Sequence, residues 1–235
     1  YAPVPTRDST APTSSTDLRL VTLYGYNSDT GRLDTVTDAS GGVTKTFHDD
    51  LGRQTHVAEN WDNFTPGSGG SGTGPDDKDR VTAFAYNGLG QISQQSALDA
   101  NGDGNRSDDQ NTRYLYEDPY NASLVTNIIY PDSTDSDSSG SDQVKLVYNL
   151  DGSIASRTDQ NGTTIAFTYT SRRQLEYQNV TTVGSGVDDH IRSIGHSYDD
   201  LARVEKVTSY ENTSGGGDIR NEIAWQYNDL GQVTT

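Results

Sequence analysis

One short turn recurs along the whole sequence. The stretch YNGLGQI, which begins at Tyr86, is matched elsewhere by an aromatic residue, a few polar or small residues and usually a glycine. The aromatic positions are Tyr26, Tyr86, Tyr116, Tyr148, Tyr169, Tyr198 and Tyr227, with His48 in the same place, and the turn glycines are Gly31, Gly52, Gly90, Gly152 and Gly231. A turn that keeps its place within a recurring unit is the signature of a repeat protein.

The residues between these turns predict short strands. An aromatic strand end, a turn closed by glycine and a β-branched run follow one another, which is the pattern of a hairpin. A second turn at residues 159–162 leads into a segment in which Ile165, Phe167 and Tyr169 alternate with polar residues. Each unit is therefore predicted to be two strands of about six residues, and about eight units predict about sixteen strands.

The last position of each turn predicts its backbone conformation. Glycine suits a residue with positive φ, as in the bulge that follows a type I turn. Asn121 is expected to tolerate this conformation in its own turn. Arg173 and Ala202 occupy the same position in two other turns. Because a left-handed conformation strains residues with a Cβ, those two turns are predicted to be of a different type.

The composition limits the kind of interior that the chain can build. The protein has 235 residues and a formal net charge of −17, and it is poor in large aliphatic residues. Such a composition alone is typical of disordered chains. Repeats instead bury surface against their neighbours, so we expect a polar, sheet-rich protein.

Several classes of function are disfavoured by the same composition. The absence of cysteine excludes disulfides, cysteine-ligated zinc and thiol catalysis. An acidic chain is poorly suited to nucleic acid, which attracts clustered lysine and arginine, and suits calcium, other cations or basic partners better. The sequence has no apolar run of the roughly 20 residues that a membrane helix needs, so no membrane span is expected.

The pattern YDxxGRL followed by DxxG and a further tyrosine resembles the YD repeat, also called the RHS repeat. This repeat occurs in large secreted or surface proteins of bacteria and in the teneurins. The resemblance covers about residues 18–235, although asparagine mostly replaces the aspartate after tyrosine and the arginine after glycine is kept only at Arg32, Arg53 and Arg203. It implies an all-β fold in which repeated antiparallel β-hairpins form a continuous spiralling or tubular sheet. In larger members the sheet closes into a shell around a toxin polypeptide.

Two regions are expected. Residues 1–17 are rich in proline, serine and threonine, which predicts an extended linker or arm. Residues 18–235 form the repeat array. A new strand opens shortly before the last residue, so the array is expected to continue into a further repeat or another subunit.

One insertion carries the pattern of a calcium-binding loop. Carboxylate or amide oxygens recur at alternate positions around a glycine, as at the start of a calcium loop. The predicted ligands are Asp99, Asn101, Asp103, Asn105 and Asp108. The alternative is that this segment is the second turn of a repeat, lengthened by a solvated insertion.

Other residues are candidates for contact with carbohydrate. Asn63, Asn121 and Asn212 begin Asn-X-Ser/Thr triplets and are predicted attachment sites for glycans. The repeat tyrosines are expected to stack as a ladder between hairpins, with a sugar platform as the alternative. Trp61 and Trp225 lie off the tyrosine position and are the better candidates for sugar contact.

No catalytic motif is recognised, so the protein is predicted not to be an enzyme. The leading hypothesis is a structural, extracellular or cell-surface segment that builds a fibre, sheath or shell by joining strand edges. Its partners would be adjacent repeats of a larger chain or other copies of itself. The alternatives are an adhesin that binds carbohydrate or another cell, and a segment of a toxin-encapsulating RHS shell.

Overall fold

The computed structural model describes residues 20–67, 78–98, 109–131 and 142–234. This part of the chain contains fifteen β-strands of three to eight residues and one single-turn 3₁₀ helix at Thr213–Gly215. The strands are β1 Leu23–Tyr26, β2 Leu33–Thr37, β3 Val43–His48, β4 Gln54–Glu59, β5 Arg80–Tyr86, β6 Ile92–Leu98, β7 Gln110–Leu115, β8 Asn127–Ile129, β9 Gln143–Tyr148, β10 Ile154–Thr158, β11 Thr164–Tyr169, β12 Leu175–Thr182, β13 Ser193–Tyr198, β14 Val204–Tyr210 and β15 Ile219–Ala224. The predicted all-β class is confirmed.

The strands lie in the sheet in the order of the chain, so each strand neighbours the strands before and after it in sequence. Paired strands run antiparallel, as in the registers of β1 with β2 and of β13 with β14. A bridge between Tyr227 and Val233 adds the beginning of one more hairpin. The prediction of consecutive antiparallel hairpins is therefore confirmed. The predicted arm at residues 1–17 lies outside the described residues.

The chain divides into two compact units, residues 1–112 and 113–235, and the boundary falls within β7. In each unit the turns that follow the repeat tyrosines, or His48, join an odd strand to the next even strand. Because strands alternate in direction, these turns all lie at the same end of the strands within their unit. We call them the repeat turns: residues 27–32, 49–53 and 87–91 in the first unit, and 117–126, 149–153, 170–174, 199–203 and 228–232 in the second.

The first unit has a small hydrophobic core under the loop that follows β4. Ala58, Phe64 and Val81 are buried together, and Phe47 and Trp61 pack against them. Phe64 is 2 % exposed, and its ring meets that of Phe47 nearly at a right angle with 5.7 Å between centroids. Loop residues, not only strands, therefore complete this core.

Buried positions elsewhere are often polar. The side-chain amide of Asn127 donates to the amide oxygen of Gln143 at 2.7 Å, and both residues are buried. Ser96 is also buried, and its hydroxyl donates to the Oδ1 atom of Asn111 at 2.6 Å. Pairing satisfies groups that would otherwise be costly to bury, so the polar composition is compatible with an ordered sheet.

In the second unit the 3₁₀ turn folds back onto the sheet. The backbone N–H of Ser214 donates to Oδ1 of Asn179 at 2.6 Å. The rings of Tyr177 and Tyr210 cover Gly195, where a Cβ atom would lie only 2.8 Å from Cε1 of Tyr177. The absence of a side chain at this position thus allows two aromatic rings to pack over β13.

Candidate functional site: the repeat turns

Each short repeat turn is closed by a backbone hydrogen bond. The N–H of Gly52 donates to the carbonyl of Asp49 at 2.9 Å, and the N–H of Gly90 donates to the carbonyl of Asn87 at 2.9 Å. Gly52 has φ +82° and Gly90 has φ +81°. The conformation expected from the glycine positions is present at both.

Two turns without glycine have the same geometry. Arg173 has φ 63° and Ala202 has φ 67°, and their N–H groups close the turns at 2.8 and 2.9 Å. The prediction of a different turn type was wrong. Oδ1 of Asp199 accepts the N–H groups of Leu201 and Arg203, and these bonds hold the second turn despite a strain of about 1–2 kcal/mol.

The turn that contains Asn121 departs from this pattern. Its residues 117–126 form a longer connection in which the carbonyl of Asn121 accepts the N–H of Leu124 at 3.1 Å. Asn121 is not among the described residues with positive φ. Its expected role in place of a turn glycine was therefore wrong, because the longer connection closes with other hydrogen bonds.

Substitution of Ala202 by glycine is expected to raise the free energy of unfolding of the second unit by about 1 kcal/mol, because the left-handed strain disappears. Urea unfolding followed by Trp225 fluorescence, in a Trp61→Phe background, measures this change. Ala224→Gly in the exposed strand β15 is the matched control and is expected to destabilise by about 0.5–1 kcal/mol. Equal losses in the two variants would contradict the assigned turn.

Two repeat turns carry an ion pair between residues four apart. Nη2 of Arg53 lies 2.7 Å from Oδ2 of Asp49, and Nη2 of Arg203 lies 2.6 Å from Oδ2 of Asp199. Partial burial favours the neutral carboxyl of Asp199, but the hydrogen bonds and charge of Arg203 outweigh it and hold the pKa of Asp199 below its usual value. The same balance lowers the pKa of Asp49 beside Arg53.

Where asparagine replaces this aspartate, the residue four positions later changes too. Nδ2 of Asn87 donates to Oε1 of Gln91 at 2.7 Å, and Nδ2 of Asn228 donates to Oε1 of Gln232 at 2.9 Å. In these two turns a neutral amide pair therefore takes the place that the charged pair has in the turns of Asp49 and Asp199. Sequence reasoning missed these pairs, although the combinations Asp with Arg and Asn with Gln are visible at that spacing.

The repeat tyrosines link each hairpin to the hairpin before it. Five of them donate their hydroxyl to a backbone carbonyl at or beside the start of the preceding even strand. The bonds are Tyr86 to Gln54 at 2.7 Å, Tyr148 to Val125 at 2.7 Å, Tyr169 to Ile154 at 2.8 Å, Tyr198 to Leu175 at 2.8 Å and Tyr227 to Val204 at 2.7 Å. Burial raises the pKa values of Tyr148 and Tyr198, so their hydroxyls remain protonated donors.

The expected ladder of stacked rings is not what joins the hairpins. The ring pairs in contact within the described ranges are Phe47–His56, Phe47–Phe64, His56–Phe64 and Tyr177–Tyr210, and none contains a repeat tyrosine. Equivalent positions in successive hairpins are two strands, or about 9.6 Å, apart, whereas ring pairs need about 4.5–7 Å between centroids. The prediction was wrong because this spacing is too long for stacking.

Arginine from the preceding turn covers some of these rings instead. The guanidinium carbon of Arg53 lies 4.5 Å from the centroid of Tyr86, and that of Arg203 lies 4.3 Å from the centroid of Tyr227. Both distances are within the range of cation–π attraction. Arg53 and Arg203 therefore each pair with the aspartate of their own turn and contact the aromatic ring of the next repeat.

Grooves lie between successive repeat turns. In the first unit a groove of about 440 Å³ is lined by residues that include Arg32, Phe47, His48 and Asp50. In the second unit a groove of about 340 Å³ is lined by residues that include Arg172, Glu176, His196, Tyr198 and Asp200. Burial lowers the pKa of His196, which favours its neutral form. The grooves are shallow, and three carboxylates line each of them.

The predicted calcium ligands Asp99, Asn101, Asp103, Asn105 and Asp108 lie outside the described residues. A different trio, Asp188, Asp189 and His190, has potential ligand atoms within 4.8 Å of one another and is exposed. A hydrogen bond between Asp188 and His190 raises the pKa of His190. Sequence reasoning did not single out this trio.

The predicted glycan attachment sites Asn63, Asn121 and Asn212 are all exposed. The backbone N–H of Asn63 is held by Oδ2 of the buried Asp79 at 3.3 Å. Oδ1 of Asn121 accepts the N–H of Ser123 at 2.9 Å. Attachment of glycans at these positions stays a prediction.

Both tryptophans are half-buried. The indole N–H of Trp61 donates to the carbonyl of Phe64 at 3.0 Å, and Nζ of Lys45 lies 4.4 Å from the Trp61 ring centroid. Trp225 is half-buried, two residues before Tyr227. Their contact with sugar stays a prediction.

No helix in the described ranges is both long enough and apolar enough to span a membrane.

No family model matches the sequence, and no curated protein matches it. The fold does match solved structures. For the structure of TcdB2-TccC3 the TM-score is 0.51 with 15% sequence identity, and for TcdB2-TccC3-Cdc42 it is 0.50 with 16%. Each match covers 90% of this chain but only 11% of the other chain. At this identity the likeness concerns the fold alone, and the chain spans about a tenth of the length of the chains that it matches.

Proposed function

We propose that the chain is a structural wall segment of an extracellular YD-repeat fibre, sheath or shell, with no catalytic role. The observation that carries this proposal is the series of hydroxyl bonds from repeat tyrosines to the backbone of the preceding hairpin. Because each bond fixes one hairpin to its neighbour, repetition extends a sheet without requiring a central core.

Strand β15, at the end of the strand order in the described part of the chain, supports the proposal of assembly through strand edges. All six residues of β15 are exposed, including Ile219 and Ile223. An exposed strand edge offers backbone N–H and C=O groups to another strand. We assign this edge to pairing with an adjacent repeat or a further copy, which is strand addition of the kind that many assemblies use.

A shell that encloses a toxin polypeptide is the second candidate. It is favoured by the fold-level likeness to TcdB2-TccC3, which extends over 90% of this chain. The same hairpin linkage serves a fibre and a shell, because both need a continuous wall. Calcium binding in the 99–108 insertion would add a local cross-link to either assembly.

Edge pairing is tested by sedimentation of the purified chain over a range of concentrations. The chain is expected to associate as its concentration rises, and the double variant Ile219→Lys/Ile223→Lys is expected to remain monomeric because charge blocks the edge of β15. Val147→Lys is the control, because Val147 is also exposed but lies in the internal strand β9. A chain that stays monomeric throughout and binds a defined sugar on a glycan array would instead support the adhesin.

A further inference from the structure

Nearly all of the most exposed apolar side chains of the described residues lie in the repeat turns. Seven large apolar or aromatic side chains of the described residues are at least 72 % exposed. They are Leu20, Leu51, Leu89, Tyr120, Leu150, Leu201 and Leu230. All except Leu20 lie in repeat turns. Single exposed leucines are ordinary on protein surfaces, but here six of the seven most exposed side chains recur in one kind of turn.

The turns themselves do not require these side chains. The central positions of a type I turn accept most residues, and asparagine, aspartate and serine are common turn formers. In the turn of Leu201 the stabilising bonds are made by Asp199 and by the backbone. The leucine side chains extend from the tips into solvent, so their presence points to a contact outside the chain.

The spacing of the tips in the second unit fits a helix. We call the central residues of a repeat turn its tip. The five successive tips of the second unit carry Tyr120, Leu150, Arg172, Leu201 and Leu230. Neighbouring tips are two strands, or about 9.6 Å, apart. Residues seven apart in an α-helix lie on one face about 10.5 Å apart. An extended strand covers about 10 Å in three residues, but residues three apart point to opposite faces.

The charged residues beside the tips indicate which charges a bound helix would carry. Asp200 and Asp229 are exposed and form no ion pair within the part of the chain that the structure describes. The middle tip instead carries Arg172, whose guanidinium also has no ion pair among the described residues. A matching helix would therefore carry lysine or arginine beside its apolar stripe and an acidic residue opposite Arg172.

We propose that the row of repeat turns in residues 113–235 binds a basic amphipathic α-helix of a partner. The helix lies across the ends of the hairpins, with one heptad for each tip. The leucine and tyrosine tips contact the apolar stripe of the helix, and Asp200 and Asp229 attract its flanking cations. A helix of five heptads, about 35 residues and about 52 Å long, covers the five tips.

The probe is a fluorescein-labelled 35-residue peptide of five heptads, with leucine in each heptad, flanking lysines and one glutamate in the central heptad. Fluorescence anisotropy with the whole 235-residue chain is expected to show saturable binding that weakens as salt rises. Leu201→Asn/Leu230→Asn should weaken binding at least tenfold, and asparagine suits these turns. Val147→Asn/Val187→Asn, which removes two exposed valines away from the repeat turns, should leave affinity within about twofold.

A charge exchange tests whether the central heptad of the helix lies opposite Arg172. Arg172→Glu should weaken binding of the original peptide, and a peptide with lysine in place of its glutamate should restore it. The proposal is overturned if the peptide does not bind, if a scrambled peptide of equal composition binds as well, or if the leucine and valine variants lose affinity equally. The chain could instead bind zwitterionic lipid vesicles but not the peptide, and lose vesicle binding with Leu201→Asn/Leu230→Asn. That result would show that the exposed side chains at the tips contact a membrane surface.

Discussion

Replacement of Phe64 by alanine is expected to lower the free energy of unfolding of the first unit by about 3–5 kcal/mol, as is typical of buried phenylalanine. Phe64 is 2 % exposed, and its ring centroid lies 5.7 Å from that of Phe47 and 5.6 Å from that of His56. The loop residue fills a space that the strands cannot close by themselves. A cavity would therefore remain in the only hydrophobic cluster of buried residues found in the described part of this unit.

Trp61 packs against this cluster and provides the measurement. In a Trp225→Phe background it is the sole tryptophan, because the chain has two. Urea unfolding followed by its fluorescence should show an earlier transition for Phe64→Ala. Leu89→Ala, at an exposed turn tip, is the control and should change stability by less than about 0.5 kcal/mol. A loss for Phe64→Ala no larger than that for Leu89→Ala would contradict the core described above.

The second large effect is expected from the tyrosine hydroxyls. Each of Tyr169→Phe, Tyr198→Phe and Tyr227→Phe removes one hydroxyl bond to a backbone carbonyl and should cost about 0.5–1.5 kcal/mol. The triple variant should lose about 1.5–4.5 kcal/mol if the three contributions add. Because hairpins are stabilised by their neighbours, the loss should extend to adjacent strands.

Unfolding of the second unit, followed by Trp225 fluorescence in a Trp61→Phe background, measures these losses. Tyr120→Phe is the matched control, because Tyr120 is exposed in a repeat turn and its hydroxyl forms no hydrogen bond in the described part of the chain. Its substitution should leave stability unchanged. If all four substitutions have the same small effect, the hydroxyl bonds do not hold the hairpins together.

Much of the fold could be predicted because its determinants are local. A repeat tyrosine ends β5, β9, β11 and β13, and glycine closes the turn after β5 and the turn after β9. Turn conformation and strand alternation depend on neighbouring residues, so they can be recognised in the sequence. Ala202 shows the limit of this approach, because the hydrogen bonds of its turn impose a conformation that the residue alone disfavours.

The linkage between hairpins could not be predicted from the same pattern. Tyrosine and phenylalanine give the same periodicity, and the acceptor of a tyrosine hydroxyl becomes known only when the register of the neighbouring strand is known. Tyr198, for example, reaches Leu175, which is 23 residues earlier. The pairs of Asp199 with Arg203 and of Asn228 with Gln232 are local and could have been recognised.

Electron cryomicroscopy of the native assembly that contains this chain tests the structural proposal most directly. We expect a wall of antiparallel strands about 4.8 Å apart, with each bonded repeat tyrosine hydroxyl against the backbone of the preceding hairpin. Filaments or sheaths would support the fibre, and closed particles with polypeptide inside would support the shell. A dispersed protein whose strands join no wall, with these tyrosines free of the neighbouring backbone, would contradict the account.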